Sequence, residues 1–304
     1  MRTRHSPLGA LPIRPLAACL AIALSAHAFA GAEIADRGKA PQPSLTGRGV
    51  KLRPDHPAAQ IRTVQNCSDS TTDSLRDIIT NPNNPNYAQS GDTVDLSELP
   101  VRCGVADSTI TLTSGEIAIA QASLTLQGPS ADQGTVTISG GGAYRVFEHT
   151  GGGMLSIRDL TIADGYSHAA SNAYGGCIRS YAPSGESLYL QNTVVADCTV
   201  LSDTGYARGG GIDSSHEVTL VSSTISGSQA LGPMKRGFGG GIEANDLTSK
   251  YSSISGNVAG DGPTRGGFGG GAYVLKGISM FASTVDHNTA SYAGGLSFRS
   301  VIPV

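Results

Sequence analysis

The sequence predicts an all-β protein: a right-handed parallel β-helix, in which short strands stack as the coils of a solenoid behind a short N-terminal capping helix. Three observations favour this fold class. Glycine is frequent, at 41 of 304 residues, whereas charged residues are only 15% and tryptophan is absent. Apolar runs are short, alternating and separated by turn residues. A glycine-rich motif recurs about every 30 residues, a period typical of stacked units.

Residues 1–30 have the pattern of a signal peptide. Three arginines make the start basic, an apolar run follows, and small residues before position 31 suit cleavage. The apolar run is short for a helix that spans a bilayer. We therefore expect a mature chain without a transmembrane span, located outside the cell, at its surface or in the periplasm. Residues 31–60, rich in proline, glycine and charge, are predicted to form a flexible leader.

Residues 61–108 are predicted to form an N-terminal cap. A short strand signal at Ile61–Val64 is followed by Leu75, Ile78 and Ile79, which fall at helical spacing behind side chains suited to an N-cap. One amphipathic helix placed before a long β region would cover an exposed strand edge.

Residues 109–304 are predicted to form the β-helix itself. From about Asp92 onward every apolar run has the length and alternation of a strand. The predicted strands before the glycine repeat are Val94–Leu96, Ile110–Leu112, Ile117–Ile119, Leu124–Leu126, Val136–Ile138, Leu155–Ile157 and Leu160–Ile162.

Two markers recur in register along the second half of the chain. The first is a glycine corner followed by an apolar residue, at intervals of 34, 30, 30 and 24 residues: Gly176-Cys177-Ile178, Gly210-Gly211-Ile212, Gly240-Gly241-Ile242, Gly270-Gly271-Ala272 and Gly294-Gly295-Leu296. The second is a hydroxyl-bearing residue before a strand: Thr193, Ser223, Ser252 and Ser283. Such units cannot bury their own apolar faces, so neighbours must stack.

Stacking predicts which side chains share a column. The apolar residues after the corners should lie inside, and Asp213, Glu243 and Tyr273 should point outward to solvent, because side chains alternate along a strand. The second marker should form a hydroxyl ladder. Asn257 and Asn288 occupy equivalent turn positions, where asparagine tolerates a left-handed backbone and can bond its stacked neighbour.

Charge and cysteine content bound the environment and the partners. Removing Arg2, Arg4 and Arg14 from the 21 basic residues leaves 18 against 24 acidic ones, which disfavours nucleic acid as a partner. We expect a monomer. The cysteines left after cleavage are Cys67, Cys103, Cys177 and Cys198. Of three possible connectivities we favour Cys67–Cys103 and Cys177–Cys198, since each pair shares a local segment, and no thiol metal site, since no C-x-x-C motif occurs.

The motifs resemble those of a known group of proteins. The glycine corners with the segment Ser252–Asn257 resemble bacterial exported right-handed β-helix proteins, related to the pectin-lyase-like superfamily and to polymorphic outer membrane protein repeats. The segments Asp73–Ile78 and Gly91–Leu96 resemble the CSLREA-type cap of such proteins. Larger relatives continue into more coils and an anchor. Two alternatives therefore stay open for a repeat that stops at Val304: a truncated chain, and a chain without its own anchor.

The resemblance implies a scaffold that hosts lyases, hydrolases and adhesins. Relatives that are lyases use carboxylates that bind Ca²⁺, and hydrolases use two or three aspartates. The weak catalytic candidates are Asp213 and Glu243, stacked on neighbouring coils, with His216 nearby in sequence. The hydrolase signatures of the group are missing from the repeat, and stacked carboxylates on a solvated strand are ordinary surface. We therefore expect no catalytic residues and no cofactor, with Ca²⁺ relevant only to a lyase.

A column of larger side chains is the favoured binding surface. Four residues before each inward apolar residue lie Tyr174, Arg208, Phe238, Phe268 and Tyr292, with Arg236 and Arg265 in the same loops. Aromatic side chains and arginines suit a polysaccharide. The alternative is that the aromatic rings only pack on one another. The glycine runs are turns rather than a nucleotide site, since they lack the G-x-G-x-x-G pattern.

These observations favour a secreted or cell-surface module that is not catalytic and binds polysaccharide, or acts as an adhesin on host or cell-surface material. The alternative is a polysaccharide lyase or glycoside hydrolase of the pectin-lyase-like superfamily.

Overall fold

The computed structural model describes residues 58–181, 188–232, 237–260 and 266–299. The predicted signal peptide, nearly all of the predicted leader, and Arg236 and Arg265 lie outside these residues. The described chain is an all-β parallel solenoid of about 7 turns with 4% helix, which confirms the predicted fold class.

The strands of the first part are β1 (Ile61–Thr63), β2 (Thr93–Asp95), β3 (Asp107–Thr111), β4 (Ile117–Ile119), β5 (Leu124–Gln127), β6 (Thr135–Ser139), β7 (Phe147–His149), β8 (Leu155–Arg158), β9 (Thr161–Ala163), β10 (Tyr166–Ala169), β11 (Ala173–Tyr174), β12 (Ile178–Ser180) and β13 (Leu188–Gln191). Those of the second part are β14 (Val194–Ala196), β15 (Thr199–Ser202), β16 (Ala207–Arg208), β17 (Ile212–Val221), β18 (Thr224–Ser226), β19 (Gln229–Leu231), β20 (Gly237–Phe238), β21 (Ile242–Lys250), β22 (Ser253–Ser255), β23 (Val258–Ala259), β24 (Ala272–Phe281), β25 (Thr284–Asp286) and β26 (Leu296–Phe298).

Every pairing between these strands is parallel, as a solenoid requires. The long sheet runs β1-β2-β5-β8-β13-β17-β12-β7-β4 and continues from β17 through β21 and β24 to β26. The other sheets run β25-β22-β18-β14-β9-β6-β3, β10-β15-β19-β23 and β11-β16-β20. Within the predicted cap, β1 pairs with β2 and β2 pairs with β5, so these strands extend the long sheet.

The predicted inward column is observed. Ile178, Ile212, Ile242, Ala272 and Leu296 are direct partners from coil to coil. All but Leu296 are fully buried. Because each coil contributes one equivalent apolar residue, the core is continuous along the axis.

Two short helices interrupt the strands. The predicted helix is α1 (Leu75–Thr80), capped by Ser74, whose side chain accepts from the backbone N–H of Asp77. Its buried face holds Leu75, Ile78 and Ile79, as the spacing predicts. A second helix, α2 (Leu99–Arg102), corrects the expectation that the chain is all strand after Asp92. Its four residues form a single turn, too short to show helical periodicity.

Polar ladders run along the corners of the solenoid. The N–H groups of Thr193, Ser223 and Ser252 each donate to the hydroxyl of the next member of the predicted column, ending at Ser283, at 3.0–3.2 Å. This confirms the hydroxyl ladder. A second ladder is formed by Cys198, Ser228, Asn257 and Asn288. The asparagines bond each other as expected, but the left-handed residues lie one position earlier, at Gly256 and His287.

Both favoured disulfides are present: Cys67–Cys103 and Cys177–Cys198. Cys177 and Cys198 are fully buried. Disulfides persist in oxidising compartments, so the pair indicates a non-reducing environment. Within the described segments, no helix has the length and apolar character needed to cross a membrane.

Candidate functional site

An axial groove runs along the outside of the solenoid. Its floor is the outward column of the long sheet: Glu148, Arg179, Asp213, Glu243 and Tyr273. One wall is the predicted column Tyr174, Arg208, Phe238, Phe268 and Tyr292, whose members are partners from coil to coil. The structure therefore brings these five predicted residues together, as the repeat required.

The other wall is formed by bulges in the long strands. Ser215 and His216 of β17 stand opposite the single residue Asn245 of β21, and β24 again has an extra residue beside Leu275. Bulges redirect side chains locally. Two clefts, of about 410 and 570 Å³, adjoin along the groove and share Arg208 and Leu275.

The glycine corner places the aromatic wall beside the floor. Gly209 has a φ of +60°, which lets the chain reverse within a few residues between Arg208 and Asp213. A Cβ on the next residue, Gly210, would lie 2.0 Å from the carbonyl oxygen of Gly240 in the neighbouring coil. Only glycine allows coils to stack this closely, so the motif that marks the repeat also builds the groove.

Asp213 and Glu243 form a carboxyl pair on the groove floor. They are register partners on the adjacent strands β17 and β21, so their carboxyl groups are neighbours in one column. Glu243 is only 3% exposed, which corrects the expectation that this column is solvated surface. The expectation failed because Arg208, in the neighbouring wall, covers Glu243. The alternation of side chains along one strand gives no information about contacts from another column.

Arg208 covers Glu243. Its Nη1 donates to Glu243 Oε1 at 2.8 Å, from one coil to the next. The other oxygen of Glu243, Oε2, is buried and has no hydrogen-bond partner among the described residues. A proton on Glu243 would satisfy this oxygen by donating to Asp213.

Burial raises both pKa values of the pair, and the Asp213 charge raises that of Glu243 further. Burial raises the pKa of Asp213 to about 6, against the attraction of Arg179, Arg208 and Arg145. Burial, with the adjacent Asp213 charge, raises the pKa of Glu243 to about 8. Two carboxylates in contact cannot both ionise readily, so near neutral pH the pair shares one proton.

Further charged groups, which the sequence analysis did not single out, extend the network. Arg179 Nη1 donates to Glu148 at 3.0 Å. Arg145 pairs with Glu116 and Glu148. Burial raises the pKa of Glu116 despite the neighbouring Arg145. Arg179 could have been found, because it follows Ile178 just as Asp213 follows Ile212. Arg145 could not, since Arg145 and Val146 occupy the positions that Gly210 and Gly211 hold in a later coil.

The aromatic wall is a stacked ladder. The rings of Phe238 and Phe268 lie 5.4 Å apart at 7°, and those of Phe268 and Tyr292 lie 4.8 Å apart at 14°. Tyr273 meets Phe238 edge-on at 4.9 Å. Arg208 lies over the Phe238 ring at 5.6 Å, and Arg179 lies over Tyr174 at 4.8 Å. These contacts stabilise the wall, and they leave ring edges rather than the inner faces for a ligand.

The geometry of the acidic candidates limits their chemistry. Asp213 and Glu243 are register partners on adjacent strands, which lie about 4.8 Å apart, whereas inverting glycosidases need roughly 6.5–9.5 Å between their two carboxyl groups to admit a water. His216 lies in the β17 bulge, next to Ser215 of the groove wall. Within the described residues, no three His, Cys, Asp or Glu side chains are placed to hold a metal ion.

Comparison of the chain with protein-family models, curated proteins and solved structures finds no match.

The carboxyl pair predicts that the protein becomes less stable as pH rises. The ordinary pKa values of 3.8 and 4.5 apply to the unfolded chain, whereas the folded pair keeps protons up to about pH 8. The folded state binds more protons across this window, so the free energy of unfolding falls from about pH 4 to about pH 8. Glu243→Gln keeps an acceptor for Arg208 and a donor for Asp213. We expect the free energy of unfolding of Glu243→Gln, relative to that of wild type, to rise by about 2–4 kcal/mol from the acid to the alkaline end of this pH range.

Urea unfolding at acid and alkaline pH measures this difference. The control is Glu217→Gln, on the same strand as Asp213 but exposed, which should follow wild type. An equal pH slope in Glu243→Gln and wild type would show that the pair holds no extra proton.

Proposed function

We propose that the protein is an exported module that binds an extended polysaccharide in the axial groove. The observation that carries this proposal is the continuity of the groove: two adjoining clefts follow the coil axis and share Arg208 and Leu275. Each coil adds about 4.8 Å, so equivalent side chains repeat along the groove as units repeat along a polymer.

The lining supports a sugar ligand. Tyr181 and Tyr206, which border the two clefts, are 59% and 38% exposed. Ser215 and Asn245 supply hydrogen-bonding groups on the opposite wall. Large aromatic surfaces with a few polar groups are typical of small-molecule and glycan sites. Sugar contacts would use these exposed tyrosines and the edges of the stacked wall.

An extracytoplasmic location supports the same proposal. The two disulfides suit an oxidising compartment. The predicted signal peptide over 1–30 supplies the route out of the cytoplasm. The resemblance to exported β-helix proteins of the pectin-lyase-like and polymorphic outer membrane protein types agrees with a role in the cell envelope, including an adhesin-like one.

Loss of the exposed tyrosines tests the binding proposal. On a glycan array, the double variant Tyr181→Ala/Tyr206→Ala should lose about tenfold or more in retention of the polysaccharide that wild type binds, as two aromatic contacts are removed. Tyr251→Ala is the matched control, since Tyr251 is 60% exposed but belongs to neither cleft. Unchanged retention in the double variant, or no retained glycan with wild type, would contradict the proposal.

Catalysis in the same groove is the second candidate, as in a polysaccharide lyase or glycoside hydrolase. It is favoured by one observation, the proton-sharing carboxyl pair with raised pKa values in a cleft. The test is product formation from pectate, alginate and glycosaminoglycans, with calcium and with chelator, read by ultraviolet absorbance and by reducing ends. Turnover that is lost in Asp213→Asn while binding is kept would make the protein an enzyme. Binding without turnover would leave it a binding module.

A further inference from the structure

We propose that Asp213 and Glu243 are a proton-operated switch that sets the charge of the axial groove and so governs its affinity for anionic polysaccharide. The inference rests on the proposed binding function and adds its regulation and the charge class of its ligand.

The first step is geometric. The two carboxyl groups are stacked neighbours on the groove floor, and among the described residues Arg208 is the one that donates a hydrogen bond to Glu243. Glu243 Oε2 is buried and no described residue donates a hydrogen bond to it. The geometry therefore has a place for one proton between the two carboxyl groups. A solvated pair would not need this proton, because water would satisfy both carboxylates.

The second step is a charge count over every element that faces the pair. Carboxyl groups come from Glu116, which precedes β4, from Glu148 on β7, and from the pair itself on β17 and β21. Guanidinium groups come from Arg145 before β7, Arg179 on β12 and Arg208 on β16. Tyr273 on β24 adds a phenol beside Glu243.

Four carboxyl groups thus face three guanidinium groups, and Arg299, which lines the second cleft, adds a fourth guanidinium to the groove. With one shared proton the groove carries one net positive charge, and when that proton leaves the charges balance. The net charge of a partly enclosed groove acts on an ionic ligand. The positively charged groove would attract a polymer of carboxylates, and loss of the proton would weaken that attraction.

The pair loses its shared proton in a pH range where the charge of the proposed ligand does not change. Glu243 titrates at about 8, because burial and the Asp213 charge disfavour its ionised form. The ordinary pKa values of uronate carboxyls lie far below this, so the polymer's charge stays constant across the transition.

The experiment measures the proton and the ligand separately. Infrared spectroscopy of the ligand-free protein should show a protonated-carboxyl band at about pH 7, between the two pKa values, that is gone at about pH 9. This band should be absent in Glu243→Gln and present in the exposed control Glu217→Gln. Retention on immobilised alginate should fall about tenfold between the two pH values for wild type. It should stay constant for Glu243→Gln, and neutral dextran should show no pH step.

Each outcome bears on one part of the account. A wild-type spectrum without the band overturns the switch whether or not alginate binds. The band with no alginate retention at either pH overturns the charge class assigned to the ligand. The band with pH-independent retention shows that the proton does not govern binding. Should Glu243→Gln fail to fold, Asp213→Asn replaces it, and loss of the Asp213 charge should move the disappearance of the band to lower pH; an unchanged transition would overturn the pair as a unit.

Discussion

Asp69→Ala is expected to cost about 3–5 kcal/mol in the free energy of unfolding. Asp69 is 6% exposed and its Oδ2 accepts from the N–H and hydroxyl groups of both Thr113 and Ser114. Its Oδ1 accepts from Arg76 Nε at 2.9 Å. One carboxylate therefore joins the segment before α1 to the turn between β3 and β4. Removing it leaves the largely buried Arg76 guanidinium without a countercharge, and leaves Arg76 Nε and the donors of Thr113 and Ser114 without this acceptor.

Denaturant unfolding of Asp69→Ala against wild type measures this cost. Asp132→Ala is the matched control, because Asp132 is exposed and bonds only to nearby groups such as the Ser130 hydroxyl. The hydrogen bonds to Asp69 hold its pKa below the ordinary value against the opposing effect of burial. The difference between wild type and Asp69→Ala should therefore shrink as pH falls below about 4. Equal stability of the two alanine variants near neutral pH would contradict this role of Asp69.

Removal of the Cys177–Cys198 disulfide, by Cys177→Ala/Cys198→Ala, is expected to cost about 3–5 kcal/mol. Both cysteines are fully buried, so the change loses core packing as well as the cross-link. In the following coils the equivalent positions are a corner glycine and a ladder residue, as in Gly241 beside Asn257. The disulfide therefore joins the corner to the ladder where other coils use close packing and hydrogen bonds.

The Cys67–Cys103 disulfide provides the comparison. It closes a longer loop, with a separation of 36 residues against 21, but its cysteines are only partly buried. The entropy of closing the longer loop predicts that loss of Cys67–Cys103 lowers the free energy of unfolding slightly more than loss of Cys177–Cys198. The smaller loss of buried packing predicts the opposite order. Thermal unfolding of both double variants decides, and we expect the lower melting temperature for Cys177→Ala/Cys198→Ala. The reverse order would show that cross-linking of the unfolded chain dominates.

The repeat could be predicted from the sequence because its markers are local. A residue such as Ile212 has the same neighbours in sequence as Ile242, so alignment of the corners fixes the inward column. The same logic placed Arg208, Phe238 and Phe268 in one column.

The contacts across the groove could not be predicted in this way. The pairing of Arg208 with Glu243 joins different columns on different coils, 35 residues apart, and it depends on how the glycine corner turns one column over the other. Alternation therefore suggested a solvated Glu243 where the structure has a buried one. The earlier coils were harder still, since Gly140–Gly142 lie out of register with the later corners and Arg145 and Val146 stand at the corner positions before Phe147.

Cross-linking of neighbouring coils tests the columns on which the groove depends. Thr219 and Thr248 are register partners on β17 and β21, and Ser279 is the next member of the column on β24. Adjacent strands lie about 4.8 Å apart, within the Cα separation that a disulfide spans, whereas two steps exceed it. Under mild oxidation, Thr219→Cys/Thr248→Cys should form the intramolecular disulfide and Thr219→Cys/Ser279→Cys should not. A disulfide in the second variant but not the first would contradict the stacked register.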